Sequence, residues 1–133
     1  MATLTPTLTL TSSDTSSDAL ALTVTDSLTV KNPQIGPSRK AANANGGSKI
    51  NIAETTDANK YVYLKHTGLK EDGSTATTNA LEVHVFENSA ARDIFRLQAG
   101  EFAFFPLLAA NYVQVVSNDT HKILVEYAYY TKG

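Results

Sequence analysis

Apolar and small hydroxylated residues alternate through most of the first thirty residues of this chain. Residues Thr3 to Thr11 read TLTPTLTLT, and residues Ala19 to Thr25 read ALALTVT. Because successive side chains of a β-strand point to opposite sides, this spacing predicts two strands that are apolar on one side and rich in threonine on the other. Pro6 has no backbone N–H, which predicts an edge position or a bulge there. Ser12–Asp18 predicts the loop between these strands, and Leu28–Val30 a short strand after a break.

No segment carries apolar residues at a period of 3.6 over ten or more positions, so no amphipathic helix is predicted. Strand-like segments recur instead at intervals of about 8 to 12 residues, which is typical of a β-sandwich or jelly roll. The predicted fold class is all-β, an antiparallel β-sandwich or jelly-roll-like domain with an N-terminal strand or arm. Further strands are predicted at Lys49–Ala53, Tyr61–Thr67, Ala80–Glu87, Asp93–Gln98, Glu101–Pro106, Tyr112–Asn118 and Lys122–Thr131.

Two long polar segments and two short turns separate these strands. Asn32–Ser48 is rich in proline, glycine and asparagine and predicts a long loop, and Gly68–Asn79 predicts a second loop that projects outward. Gln98–Glu101 predicts a tight hairpin, because Gly100 can take the positive φ that such turns require. Asn118–His121 predicts the next hairpin.

The chain is the size of one domain: 133 residues can bury about 65 to 70% of their unfolded surface. All eleven aromatic residues lie between Tyr61 and Tyr130, which places the dense core in the C-terminal part. We divide the chain into a threonine-rich strand arm, residues 1–31, and a β-sandwich domain, residues 32–133. Both are expected to form one structural unit.

Composition argues against several classes of function. The formal net charge is −2, with acidic and basic residues spread along the chain, so the basic stripe of a nucleic-acid-binding protein is missing. The longest apolar run, Phe102–Ala110, is half the length of a membrane-spanning helix, and the N-terminus lacks the features of a signal peptide. The chain has no cysteine, which excludes disulfides, thiolate metal sites and cysteine nucleophiles. We expect no nucleic-acid or membrane partner.

No group of residues predicts a reaction, a metal site or a cofactor. His66, His84 and His121 stand on different predicted strands or turns, without the spacing of a metal site. Glycosidases use two carboxylates across a groove, but nothing in the sequence fixes the separation of the strand carboxylates. These are Glu82, Glu87, Glu101 and Glu126. The segment with Glu71 and Asp72 predicts a turn rather than a calcium loop, because regular oxygen-ligand spacing is missing. We expect a non-enzymatic protein without catalytic residues, metal or cofactor.

Apolar residues occupy both faces of the strand that contains Phe102 to Pro106. Phe102 and Phe104 point to one side, and Phe105 to the other. Leaving such side chains in water forgoes about 1.5 to 3 kcal/mol each, which favours a cover from a neighbouring subunit. The arm can also bind a neighbour, by adding a strand to the edge of its sheet. The candidate interface residues are Leu4, Leu8, Leu10, Leu20, Leu22, Phe105, Leu107, Leu108 and Tyr112.

Three segments carry a resemblance to a known group of proteins. They are YVYLKHT at Tyr61–Thr67, LQAGEFAFFPL at Leu97–Leu107 and ILVEYAYYTKG at Ile123–Gly133. Together they resemble small virion structural proteins of tailed bacteriophages, especially those that infect cyanobacteria. In that group a Y-x-K-N-T strand precedes an L-x-A/P-G-E-F-A-F-x-P hairpin and a closing x-E-Y-x-Y/W strand. His66 here replaces the usual asparagine.

The resemblance implies a non-enzymatic virion component. The preferred assignment is a capsid decoration or cement protein on the capsid exterior, which would bind the major capsid protein and copies of itself. A tail or fibre-associated structural protein is the first alternative. The second is a carbohydrate-binding host-recognition module that uses tyrosines and the Gly68–Asn79 loop to bind a glycan.

Overall fold

The computed structural model describes residues 2–14, 19–31, 35–43, 48–50, 58–87 and 90–133. Within these residues the chain forms twelve β-strands and no helix, which confirms the all-β fold class. The strands are β1 (Ala2–Leu4), β2 (Thr7–Ser12), β3 (Leu20–Thr25), β4 (Leu28–Val30), β5 (Ile35–Ala42), β6 (Ser48–Ile50), β7 (Lys60–Lys70), β8 (Leu81–Glu87), β9 (Ala90–Leu97), β10 (Phe102–Leu107), β11 (Tyr112–Ser117) and β12 (Ile123–Thr131).

Strands β5 to β12 form two four-stranded antiparallel sheets, ordered β10-β7-β12-β5 and β6-β11-β8-β9. Along the chain, the first of these eight strands pairs with the last, the second with the seventh, the third with the sixth and the fourth with the fifth. A long antiparallel hairpin wound around itself produces this order, which is the topology of a jelly roll. The predicted sandwich architecture is therefore confirmed.

The two sheets enclose a core of alternating side chains. Strand β7 buries Val62 and Leu64, and strand β11 buries Val113 and Val115, all with no exposed surface. Side chains from β8, β9, β10 and β12 complete the same cluster. Alternate residues of β7, β8 and β11 point inward, so the apolar period of 2 in the sequence becomes one continuous core.

Two turns that were predicted to close hairpins connect opposite sheets instead. Gln98–Glu101 joins β9 to β10, and Asn118–His121 joins β11 to β12, yet neither pair of strands is hydrogen-bonded. The first turn has the expected geometry: Gly100 has a φ of 86°, and the N–H of Glu101 donates to the carbonyl of Gln98 at 3.0 Å. Turn residues determine the local reversal and not the sheet in which the next strand lies.

The segment Asn32–Ser48, predicted as a loop, contains strand β5. Its partner is β12, with Arg39 opposite Glu126 and Ala42 opposite Ile123. Strand β5 lies at the edge of its sheet, where a proline within a strand is tolerated. The loop prediction was wrong because pairing with β12, rather than local residue preference, makes this segment a strand.

Two other boundaries differ from the predictions. The strand predicted at Lys49–Ala53 corresponds to β6 at Ser48–Ile50, and residues 51–57 lie outside the described part of the chain. The loop predicted at Gly68–Asn79 begins later, because β7 continues to Lys70. A small hairpin then returns, with Leu69 bridged to Ala76. Part of the predicted Ser12–Asp18 loop also lies outside the described residues.

The four N-terminal strands form a separate antiparallel ribbon. One register runs from Ala2 opposite Val30 to Ser12 opposite Leu20. The predicted break before Leu28 is confirmed, since β3 ends at Thr25 and β4 begins at Leu28. Pro6 lies opposite this break, and the N–H of Asp26 donates to its carbonyl at 3.1 Å. At about 3.4 Å per residue, each side of this ribbon is about 35 Å long.

The base of the ribbon is joined to the end of β12. The N–H of Lys31 donates to the carbonyl of Thr131, and the N–H of Gly133 donates to the carbonyl of Thr29, both at 2.9 Å. Val30 pairs with Lys132 between them and is only 2% exposed. The ribbon is thus fixed to the sandwich by backbone hydrogen bonds at one end.

The alternation on β11 gives a matched test of the core. Val115 has no exposed surface, whereas its neighbour Val116 is on the partly exposed outer face. We expect Val115→Ala to lower the free energy of unfolding by about 2 to 3 kcal/mol, through lost apolar burial and a residual cavity. Val116→Ala serves as the control, with an expected loss below about 1 kcal/mol. Urea denaturation measures both, and equal losses would contradict the assigned core face.

Candidate functional site

The ribbon has one apolar face and one hydroxylated face along its whole length. On the apolar face Leu8 lies opposite Val24, and Leu10 lies opposite Leu22. The other face carries threonines from both strands, and the hydroxyl oxygens of Thr7 and Thr25 lie 3.1 Å apart. The single register of the ribbon keeps the leucines and the valine of the two strands on the same side.

The apolar face of the outer half of the ribbon is open to solvent. Between 42% and 52% of each large apolar side chain there remains exposed. These residues are Leu8, Leu10, Leu20, Leu22 and Val24. Incomplete burial forgoes roughly 1 kcal/mol per residue, and a lone two-stranded ribbon is marginally stable in water. Within the part of the chain that the structure describes, no second layer covers the outer half of the ribbon.

Two phenylalanines of β10 extend this apolar face onto the sandwich. Phe102 and Phe104 point outward and are 61% and 40% exposed. The ring of Phe104 stacks on that of Tyr61, with centroids 5.9 Å apart. The Lys132 ammonium lies 4.6 Å from the centroid of the same tyrosine ring. A cation over one side of the aromatic pair marks the border of the apolar area.

A groove of about 370 Å³ lies where the ribbon meets β10. Leu8 and Val24 line one side, and Phe102 and Phe104 line the other. Asp26, whose carboxylate accepts a hydrogen bond from the Ser27 N–H at 2.7 Å, is the one charged residue among the described residues of its lining. We call the continuous area the apolar ribbon surface, formed by Leu8, Leu10, Leu20, Leu22, Val24, Phe102 and Phe104.

The arm residues named as interface candidates all belong to the ribbon. Leu8, Leu10, Leu20 and Leu22 share the open face, and Leu4 lies half-buried near the ribbon base. The structure brings these five residues onto one side of one element, as the alternation predicts.

The remaining interface candidates are scattered. Phe105 faces inward against the core, with its ring edge-on to Phe95 at 5.8 Å, and Leu107 is buried in the same cluster. A neighbouring subunit was expected to cover Phe105 and Leu107, but the second sheet of the same chain covers them instead. Leu108 is exposed beyond the end of β10. Tyr112 stacks on Phe86 at 4.7 Å, on the other sheet.

Sequence reasoning missed three members of the apolar ribbon surface. Val24 continues the alternation of Leu20 and Leu22, so the same period identifies it. Phe102 and Phe104 were known to share a face, but alternation along β10 does not say which face points inward. That choice depends on the second sheet, whose position the local sequence does not encode.

The histidines and carboxylates are used in local structure. His66 is fully buried: its Nδ1 accepts from the Gly68 N–H, and its Nε2 donates to the Asn79 carbonyl, both at 2.9 Å. Glu82 forms an ion pair with Arg96 at 2.9 Å. The described residues contain no group of three or more potential metal ligands.

The strand carboxylates do not form a facing pair. Glu126 accepts a hydrogen bond from the Tyr63 hydroxyl at 3.1 Å on the outer face of one sheet. Glu82 lies on the outer face of the other sheet, so the two point away from each other. Glu101 accepts from the Gln98 N–H at 2.7 Å and thereby caps its turn. None of these three is placed with another across one groove.

A second, polar groove lies at one rim of the sandwich, with a volume of about 360 Å³. Thr77, Asn79, Asp119 and His121 contribute to its lining. Hydrogen bonds from the side chain of Asn79, the N–H of His121 and the hydroxyl of Thr77 hold the pKa of Asp119 well below its usual range. This carboxylate therefore stays ionised and fixed at the groove.

Asp72, near this rim, is held in a similar way. Its carboxylate accepts from the N–H groups of Ser74 and Thr75, each at 2.8 Å, and from the Thr75 hydroxyl. These hydrogen bonds hold its pKa well below the usual range. The contacts are those of a turn cap, which is how the sequence around Asp72 was interpreted.

Comparison of the sequence with protein-family models, with curated proteins and with solved structures finds no match. Within the described residues, no segment forms a helix of the length and apolar character needed to cross a bilayer.

Strand β10 offers a matched test of the two faces. Phe105→Ala should lower the free energy of unfolding by about 2 to 4 kcal/mol, because the ring contacts the core. Phe102→Ala should change it by less than about 1 kcal/mol, because most of that ring is already in water. Denaturation of dilute protein measures both. A larger loss for Phe102 would contradict the orientation of β10.

The hydrogen-bonded carboxylate of Asp119 predicts that the stability of the protein depends on pH. Because the folded pKa of Asp119 is below its unfolded value, its contribution to stability is present above about pH 4 and is lost as the pH falls towards the folded pKa. Asp119→Asn should therefore be less stable than the wild type at pH 7, and the difference should shrink below about pH 4. Thermal unfolding across this range measures it, with Glu87→Gln, at an exposed carboxylate, as the control. A difference in stability between Asp119→Asn and the wild type that stays the same across this pH range would contradict the predicted link between folding and the protonation of Asp119.

Proposed function

We propose that this protein is a non-enzymatic structural subunit of a bacteriophage virion, which acts by binding neighbouring protein chains. The observation that carries the proposal is the apolar ribbon surface. Monomeric proteins rarely leave so large a continuous apolar area in water, and such areas usually mark contacts between proteins. The resemblance of the three C-terminal motifs to small phage virion proteins supports the virion assignment.

The preferred position is the capsid exterior, as a decoration or cement protein. An anchored ribbon about 35 Å long can reach across a boundary between capsid subunits. Strand β10 and the two sides of the ribbon also lie at sheet edges, where backbone groups can pair with a strand of another protein. A tail or fibre-associated position uses the same contacts and is the alternative placement.

A carbohydrate-binding host-recognition module is the second candidate. The polar groove at the rim favours it, because it combines an ionised carboxylate with hydroxyl, amide and imidazole groups. Sugar hydroxyls are bound by convergent polar groups of this kind. In this case Asp119 would accept hydrogen bonds from the glycan, and the ribbon would serve only for assembly.

Binding to capsids and to glycans distinguishes these candidates. Purified wild-type protein would be mixed with capsids of the same phage that were assembled without it, and then sedimented. It would also be applied to an array of bacterial surface glycans. We expect saturable co-sedimentation of the wild-type protein with capsids. Asp119→Ala and the control Asp72→Ala should both retain this binding.

Three other results would each change the proposed function or position. Glycan retention that Asp119→Ala abolishes, without capsid binding, would replace the decoration proposal by the carbohydrate-binding one. Binding only to isolated tails would move the protein to the tail. No binding to any virion component would overturn the proposed function.

A further inference from the structure

Charge is distributed unevenly along the ribbon. The tip carries an acid, Asp14, whereas two lysines, Lys31 and Lys132, lie at the base. Between them the apolar ribbon surface carries no charge, apart from Asp26 in the groove. The ribbon is therefore negative at one end, positive at the other and apolar in the middle.

We propose that the apolar ribbon surface is covered by the same surface of a second copy of this chain. The two ribbons would pack face to face and antiparallel, about 10 Å apart, as in a small sandwich. This inference goes beyond the proposed function, since it concerns the isolated protein and does not require a virion.

Self-complementarity favours a second copy over an unrelated partner. A two-fold contact brings one surface patch against an identical patch. The described part of this face carries one charge, Asp26, and the antiparallel arrangement keeps the Asp26 residues of the two copies about 20 Å apart along the strands, so they do not repel each other strongly. The exposed parts of the seven residues amount to on the order of 600 Å² per chain, close to the roughly 800 Å² per partner of a standard interface. The surface is thus nearly large enough to sustain a dimer by itself.

The charges select the antiparallel orientation. With the two-fold axis near the row between Leu8 and Leu10, the tip of each ribbon lies against the base of the other. Asp14 of one copy then approaches Lys31 and Lys132 of the other, whereas parallel ribbons would place the two acids together. Exposed ion pairs contribute little affinity, so their effect here is on orientation.

The same arrangement fills the groove. Leu20 lies near the ribbon tip, about 20 Å from the row of Pro6 and Asp26 at the groove. An antiparallel partner therefore brings Leu20 of one copy over Phe102 of the other. The apolar tip residues and the exposed phenylalanines cover each other in a single contact.

Cysteine cross-linking tests this geometry, because the chain has no native cysteine. Leu10→Cys should give a covalent dimer with a short bis-maleimide linker, whereas Thr9→Cys, on the opposite face of β2, should not. Leu20→Cys alone should give no covalent dimer, since the Leu20 positions of two antiparallel ribbons lie about 20 Å apart along the strands. A mixture of Leu20→Cys and Phe102→Cys chains should give a mixed dimer. Efficient Leu20→Cys homodimers would overturn the antiparallel arrangement.

Association in solution provides the second readout. Sedimentation of the wild type should show a reversible dimer, and Leu10→Asp should weaken it by at least about 100-fold, since a charge would be buried in the contact. Thr9→Asp, with the same charge on the threonine face, should remain dimeric. Circular dichroism of the variants checks that the sandwich is intact.

Two outcomes would overturn the inference. One is a wild type that stays monomeric at 100 µM. The other is a Leu10→Asp variant that dimerises as the wild type does. If Leu10→Cys cross-links to a capsid protein instead, the second-copy inference fails while the proposed function stands. If the dimer forms but capsids are not bound, the proposed function fails while this inference stands.

Discussion

Each β-strand presents its side chains alternately to two sides, so an apolar set on one side is stable only when a second layer covers it. In the sandwich, two four-stranded sheets meet this requirement for each other. In the ribbon, the same alternation produces an apolar face, but the described residues form no second layer over its outer half. The exposed surface and the inferred pairing both follow from this single difference.

The sequence predicted strand positions well and strand partners poorly. The alternation of leucine and threonine located both long ribbon strands, and the period of 2 located β7, β8, β11 and β12. Strand β5 was missed because its backbone pairs with β12, which lies far away in the sequence. The turn at Gly100 was recognised, but its role in crossing between sheets was not, because local residue preference carries no information about sheet membership.

The same limit affected the candidate site. Alternation placed Phe102 and Phe104 on one face of β10 and Phe105 on the other, but the inward face was assigned the wrong way round. Both faces of that strand are apolar, so the correct choice requires the position of the second sheet. The leucines of the arm were identified correctly because only one face of the ribbon is apolar, and no tertiary information was needed to group them.

The hydrogen bonds between the ribbon base and the end of β12 also affect the order of folding. Thr29 and Gly133 are about a hundred residues apart along the chain, whereas the strands of the ribbon are joined by one short connection. During synthesis the hairpin can form early, but its attachment must wait until the distant segment has left the ribosome. In that interval the leucine face is open to neighbouring nascent chains on the same messenger RNA, so association can begin before the sandwich is complete.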